Sequence, residues 1–262
     1  MSPPITITRA TPPRDYTLIS ALENRVFYHD PFSIVAFGPE RDSPANIEAR
    51  AQSFARQASP EGGSAVFVKA VLGERGVMGG DGETIVGAAQ WNFVVGRERD
   101  GVVDAGAGAE EDKKREDRKD EERKEVIEAD EGAEKKNVWG IGANIKFCED
   151  VFLVADEHMI RSTEGRDYAK LSTLIVAPEN QRQGIGSRLL ETGLKEVDRL
   201  GLQCVLASSK EGLGLYKRFG FVEFETMKLK LWEYEGGEGF EGDDHVVMWR
   251  PCMGKEGGMA HE

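Results

Sequence analysis

Apolar residues recur along this chain at two spacings, and the switches between them mark its elements. Ile5 to Arg9 alternates apolar and polar, which predicts a short first strand. Leu18, Ile19, Leu22, Val26 and Phe27 then follow helical spacing, with a start near Asp15 or Thr17. Tyr28 to Phe32 reads as a break. Ser43-Pro44 reads as a cap followed by proline at the first helical position, and Ile47, Ala51, Phe54 and Ala55 give that second helix its inward face. Ser64 to Leu72 and Thr84 to Val95 read as two strands joined by a glycine-rich hairpin over 73–82. Trp91 and Phe93 face either the core or a cleft. Phe147, Val151, Phe152, Ala155 and Met159 predict a further helix within 139–159, with His158 in its last turn, and 163–167 reads as a loop.

The strongest periodic signal comes next. Leu171 to Val176 is an apolar, partly β-branched run that predicts a strand, ended by Pro178. Ile185, Leu189, Leu190, Leu194, Val197 and Leu200 then predict an amphipathic helix, with Gly201 as its stop. Gln203 to Ser209 predicts another strand. Val222 to Trp232 and His245 to Arg250 predict two final strands, separated by the glycine- and acid-rich 233–244.

Composition changes this picture in one place. The 262 residues are 39% hydrophobic and 31% charged, which suits one folded domain with a strongly charged part. Glu110 to Asn137 holds thirteen acidic and nine basic residues and almost nothing apolar, so it cannot repay its ordering entropy by burial. Residues 97–136 therefore read as a surface insertion, disordered or a solvated single helix, acting as a spacer or a partner-binding arm. Residues 110–137 supply -4 of the net charge of -13, leaving -9 for the remainder. That balance argues against general nucleic-acid binding and is compatible with a cationic substrate. Cys148, Cys204 and Cys252 are widely spaced, so neither a disulfide framework nor a metal site is expected. With no apolar leader or membrane-length run, the expectation is a soluble cytosolic or nuclear protein, with residues 253–262 as a flexible tail.

The chemistry concentrates between Leu174 and Leu190. A strand, the loop Gln181-Arg182-Gln183-Gly184-Ile185-Gly186 and a helix N-terminus make an anion site. Two glycines let a phosphate approach the backbone, and the first helical turn offers unpaired N–H groups and the positive end of its dipole. Arg182 and Arg188 add formal charge. A Walker loop would need Gly-Lys-Ser/Thr after the last glycine. A dinucleotide fingerprint would need glycine where Leu189 stands.

The third pattern, Gln/Arg-x-x-Gly-x-Gly after an apolar strand ending in Val-x-Pro, resembles motif A of the GNAT acetyltransferase superfamily. Leu215-Tyr216 followed by Gly220-Phe221 resembles its motif B, and the two together cover roughly 170–224. The resemblance implies an α/β fold of the GNAT type, a mixed, mostly antiparallel sheet flanked by helices. It spans 1–252 as a single domain, with the two early helices in the acceptor wall. It implies acetyl-CoA as co-substrate, no metal, and an amine acceptor. By family position, Leu174, Ile175 and Val176 match the strand whose backbone meets the pantetheine arm. Gln181, Arg182, Gln183, Gly184, Ile185, Gly186 and Ser187 match the pyrophosphate loop. Ser209 stands where asparagine often touches the cofactor, and Tyr216 matches the tyrosine that protonates the departing thiolate and lines the cofactor site.

Direct attack of a neutral amine builds negative charge on the thioester oxygen, which backbone N–H groups near Val176 would stabilise. The base that deprotonates the amine stays open among Glu179, Glu225, His158 and His245. The lead acceptor is a small-molecule amine. A protein N-terminus or lysine, and a non-catalytic CoA-binding scaffold, are the alternatives.

Overall fold

A computed structural model describes residues 4–58, 65–73, 84–96 and 139–253. The charged stretch 97–136, most of the 73–82 hairpin and residues 254–262 lie outside the described residues. In chain order the elements are β1 (Ile5–Arg9), α1 (Arg14–Val26), α2 (Pro31–Phe37), α3 (Pro44–Ala58), β2 (Ala65–Leu72) and β3 (Thr84–Val94). Then come α4 (Ile145–Cys148), α5 (Val154–Ser162), β4 (Tyr168–Val176), α6 (Ile185–Leu200), β5 (Gln203–Ser208), α7 (Leu213–Arg218), β6 (Val222–Leu229) and β7 (Asp243–Arg250). Among the described residues the seven strands form one mixed sheet in the order β1-β2-β3-β4-β5-β7-β6. Only β4 and β5 run parallel; every other pairing is antiparallel. This is the expected fold class.

Three local differences from the sequence reading stand out, and the first two have plain physical causes. The break at 28–32 ends in a helix, because Asp30 caps α2 by accepting the Ser33 N–H at 2.9 Å and Pro31 occupies its first position. Phe147, Val151, Ala155 and Met159 are all buried although they sit four apart, a spacing that drifts around an α-helix. A π-turn over Glu149–Leu153, between α4 and α5, takes up that drift. Ala55 and Leu200 fit their helical patterns but lie on the solvent side. Gly201 ends α6 in the left-handed conformation, as expected.

The two sheet faces carry different helices. Gln90 bonds Gln57 of α3 at 2.6 Å, Thr173 reaches Glu23 of α1 at 3.4 Å, and Lys170 pairs with Asp156 of α5. On the opposite face Trp91 lies against Gly193 of α6, and Arg250 makes a two-pronged ion pair with Asp198 of α6 at 2.6 and 3.0 Å. Trp91 therefore belongs to the core, while Phe93 is only half-buried. Ile185, Leu189, Leu190, Leu194 and Val197 are the face α6 presses on the sheet, each worth about 2 kcal/mol of gross burial. A one-residue bulge opposite Gln90 and Trp91 leaves Ser172 unopposed on β4 and swaps the faces on which β4 side chains emerge beyond it.

Candidate functional site

Beyond Lys170 the sheet opens. β4 and β5 pair at three positions only, Tyr168 with Gln203, Ala169 with Cys204 and Lys170 with Val205. β4 then runs on to Val176 and β5 to Ser208 without meeting again. The other edge of β4 stays on β3, and just past it the Ala177 N–H donates to the Val86 carbonyl at 2.9 Å. Antiparallel alternation then spends the backbone of Ile175 on Ala88 and turns the N–H and C=O of Leu174 and Val176 toward the gap. Ile175 itself is buried side chain, whereas Leu174 and Val176 are half-buried at the opening.

The chain leaves β4 through a 3-10 turn, Pro178–Asn180, and an exposed loop, 181–184. Gln181 donates to the Val176 carbonyl at 3.1 Å and Gln183 to the Glu179 carbonyl at 3.3 Å, so these amides brace the loop. Arg182 is held at φ 59, a left-handed value uncommon for a residue with a side chain, and is exposed. Gly184 takes φ 78 as the N-cap, with no side chain to cap the helix. The first α6 bond runs from the Arg188 N–H to the Gly184 carbonyl at 3.1 Å. The N–H groups of Ile185, Gly186 and Ser187 precede that bond and have no intrahelical acceptor. Among the described residues, apart from its own chain neighbours, nothing lies within 4 Å of where a Cβ on Gly184 would sit. The cradle is therefore open and carries donors, a fit for an anionic diphosphate. The Arg188 guanidinium, expected beside it, is instead bonded to the Ile5 carbonyl at 2.9 Å.

Tyr216 stands on α7 across the gap. Its ring edge lies against Gly212 and it packs edge-on to Phe221 at 5.8 Å. It is 9% exposed and, among the described residues, its hydroxyl makes no hydrogen bond. Burial pushes the phenol well above its ordinary range, with Cys204 adding in the same direction. Ser209, half-buried, begins the turn into α7; its carbonyl accepts from the Ser208 hydroxyl at 2.7 Å and the Gly212 N–H at 3.2 Å. Thus β4, the loop, the α6 N-terminus, Ser209 and Tyr216 are brought around one opening.

The base candidates separate. Glu225 and His158 meet through Arg161, at 2.7 and 3.0 Å, beside the outer strand β6 and away from the gap. Glu179 lies in the exposed turn, paired with Arg25 at 3.0 Å; its own backbone N–H first, then Arg25, hold it below the usual carboxylate range. His245 alone lies at the end of β7 nearest the opening. Among the described residues no group of side chains could hold a metal ion. No helix among them is long and apolar enough to cross a membrane.

Residues 148–223, which contain the gap, the loop and Tyr216, match the family model described as an acetyltransferase (GNAT) domain. Over those residues the chain is similar to a GNAT acetyltransferase domain. That match places it among the acyltransferases. No curated protein matches it. Solved structures share the GNAT fold at low identity. A mosquito arylalkylamine N-acetyltransferase like 5b is 13% identical over 94% of this chain and 99% of its own, with TM-score 0.55. An agmatine N-acetyltransferase mutant in its apo form is 15% identical over 94% and 99%, with TM-score 0.54. A structure from Corynebacterium glutamicum, described as histone acetyltransferase HPA2 and related acetyltransferase, is 18% identical over 97% and 98%, with TM-score 0.51.

Proposed function

We propose that this GNAT domain transfers the acetyl group of acetyl-CoA directly to a small-molecule amine. The observation that carries the reading is the parting of β4 and β5 beside a glycine-opened helix N-terminus, with Tyr216 on the far wall. In this reading the N–H groups of Ile185, Gly186 and Ser187 receive the diphosphate, with Arg182, Gln183 and Gly184 forming the loop around it. Leu174 and Val176 offer backbone to the pantetheine arm, and Ser209 a hydroxyl. The Val176 N–H points into the gap, where it stabilises the thioester oxygen as charge develops. When bound, acetyl-CoA supplies an activated acyl group on a sulfur leaving group. Tyr216 keeps its proton at any working pH because burial raises its pKa. Full transfer to a thiolate of ordinary pKa, about 8.5, is uphill, so the phenol acts by hydrogen-bonding the departing sulfur. The small-amine assignment draws on the arylalkylamine and agmatine enzymes of like fold, and on the acidic surroundings of the opening described below. The same reading takes 1–252 as one domain, with 97–136 as an insertion in it and 253–262 as its tail.

Calorimetric titration with acetyl-CoA, followed by thiol release with tryptamine, agmatine and a lysine-containing peptide, tests this. Turnover on either small amine supports the reading, and turnover on the peptide alone replaces its acceptor class. Tight binding with no thiol release on any acceptor points to a non-catalytic CoA-binding protein. Tyr216→Phe is expected to lower kcat about 100-fold while leaving acetyl-CoA affinity unchanged, since it removes a contact made to the reacting sulfur. An unchanged kcat would remove Tyr216 from the chemistry.

A further inference from the structure

β5 is an inner strand, between β4 and β7, and its residues are buried except Ala207. An exposed residue there marks a hollow that no helix among the described residues covers. Ser172, at the bulge of β4, is exposed across the gap from it. His245 stands on the other side. Ser208 pairs with Val246, so His245 comes next along β7, beyond the end of β5. It shares a sheet face with Val247, which pairs with Ala207. Its ring is stacked on Phe32 of α2, centroids 4.6 Å apart and planes 20° apart. Its Nε2 lies 3.1 Å from Asp243 Oδ2. That hydrogen bond is the largest cause holding the Asp243 carboxyl below its ordinary range, with Lys210 helping. An ionised carboxylate only accepts, so Nε2 donates this bond, and in the neutral ring the nitrogen free to accept is Nδ1.

The charged groups around His245 come from three elements. Asp243 on β7 meets its ring, Asp30 caps α2 and interacts with both, and Glu211 and Lys210 in the turn before α7 act on Asp30 and Asp243. Burial, more than Asp243 or Glu211, raises the Asp30 carboxyl. The opposite neighbour on β6 is Met227, which is apolar.

We infer that the acceptor amine enters over Ala207 and that His245 is its general base, oriented by Asp243 and Phe32. This rests on the acyl-transfer reading above. Nδ1 of His245 first takes one proton from the bound ammonium and passes it to solvent; as the neutral nitrogen then bonds to the thioester carbonyl carbon, Nδ1 takes its second N–H proton. The C–S bond breaks with its electron pair on sulfur, which takes a proton from water under the Tyr216 hydrogen bond. The imidazolium, balanced by Asp243, then returns its proton to solvent. The acceptor class this suits is a cationic primary amine, drawn by the carboxylates and deprotonated at the hollow.

The test uses the full chain, acetyl-CoA, and tryptamine and agmatine as acceptors. Wild type is assayed first; no turnover on either amine would overturn the small-amine reading, and this inference with it. With wild type active, His245→Ala is expected to lose about 100-fold in kcat at neutral pH, with the KM for acetyl-CoA held within about twofold. Added imidazole is expected to restore part of that loss, and Asp243→Asn to cost about tenfold by releasing the tautomer. Agmatine, the dication, is expected to show the lower KM. If His245→Ala keeps wild-type kcat across the pH profile, the inference falls. It falls equally if kcat and calorimetric acetyl-CoA affinity are lost together and imidazole restores nothing, because that pattern is structural.

Discussion

Gly193→Ala is expected to lower the denaturation midpoint, although helix propensity alone argues the other way. Inside a helix alanine is favoured over glycine by about 1 kcal/mol. At Gly193, however, a Cβ would sit 2.0 Å from Trp91 Cε2 and 2.3 Å from Cζ2 and Nε1. Trp91 is 1% exposed and enclosed by the central core, so the indole has nowhere to retreat. Overpacking of this kind costs about 3 kcal/mol or more, which outweighs the propensity gain. Because Gly193 sets how closely α6 lies on the sheet, acetyl-CoA affinity should fall with stability. Trp91→Leu in the same chain should return part of the loss by vacating the overlap. A Gly193→Ala midpoint at or above wild type would show that α6 stands further from β3 than described.

Stability is expected to fall steeply on the alkaline side, and the cause is two buried thiols. Cys148 and Cys204 are both 0% exposed, and burial pushes each from 9.0 up to about 12. Above pH 9 the unfolded chain releases these protons while the folded chain keeps them. The folded state then binds more protons, so stability drops as pH rises. Each thiol contributes a slope of about 1.4 kcal/mol per pH unit, active between 9.0 and about 12 and absent below it. Tyr216, raised from 10.0, adds the same sign above that pH. Denaturant midpoints measured from neutral to alkaline pH should therefore bend downward past 9.0. Cys204→Ala should flatten the bend by one proton, whatever it costs at neutral pH. An unchanged bend in that variant would show the thiol is not the proton at issue.

Both results depend on parts of the molecule that differ in how far they can be read from the chain. The helix at 185–200 and its glycine cap were plain in the spacing of five buried residues, since amphipathic periodicity is a local property. The open cradle at Gly184 was plain for the same reason. A glycine with positive φ and a helix N-terminus need only their neighbours to form. Asp30-Pro31 also carried a readable helix start that the surrounding turn residues obscured. Nothing in the spacing announced that Arg188 would be taken by the Ile5 carbonyl, 183 residues away in sequence. The same holds for the stack of His245 on Phe32.

What the chain determined by itself is the strand, the phosphate-type loop and the helix that follows, with the motif that names the family. Those depend on φ preferences, unpaired amides and a stripe of apolar side chains, all set within a few turns. Tertiary structure alone decided where β4 stops meeting β5, which of Leu174, Ile175 and Val176 turns its backbone toward the gap, and how deeply Tyr216 is buried. It also decided that one histidine of the candidate bases stands at the opening. Strand register and burial are settled by partners far away in sequence, and no local preference encodes the identity of a distant partner.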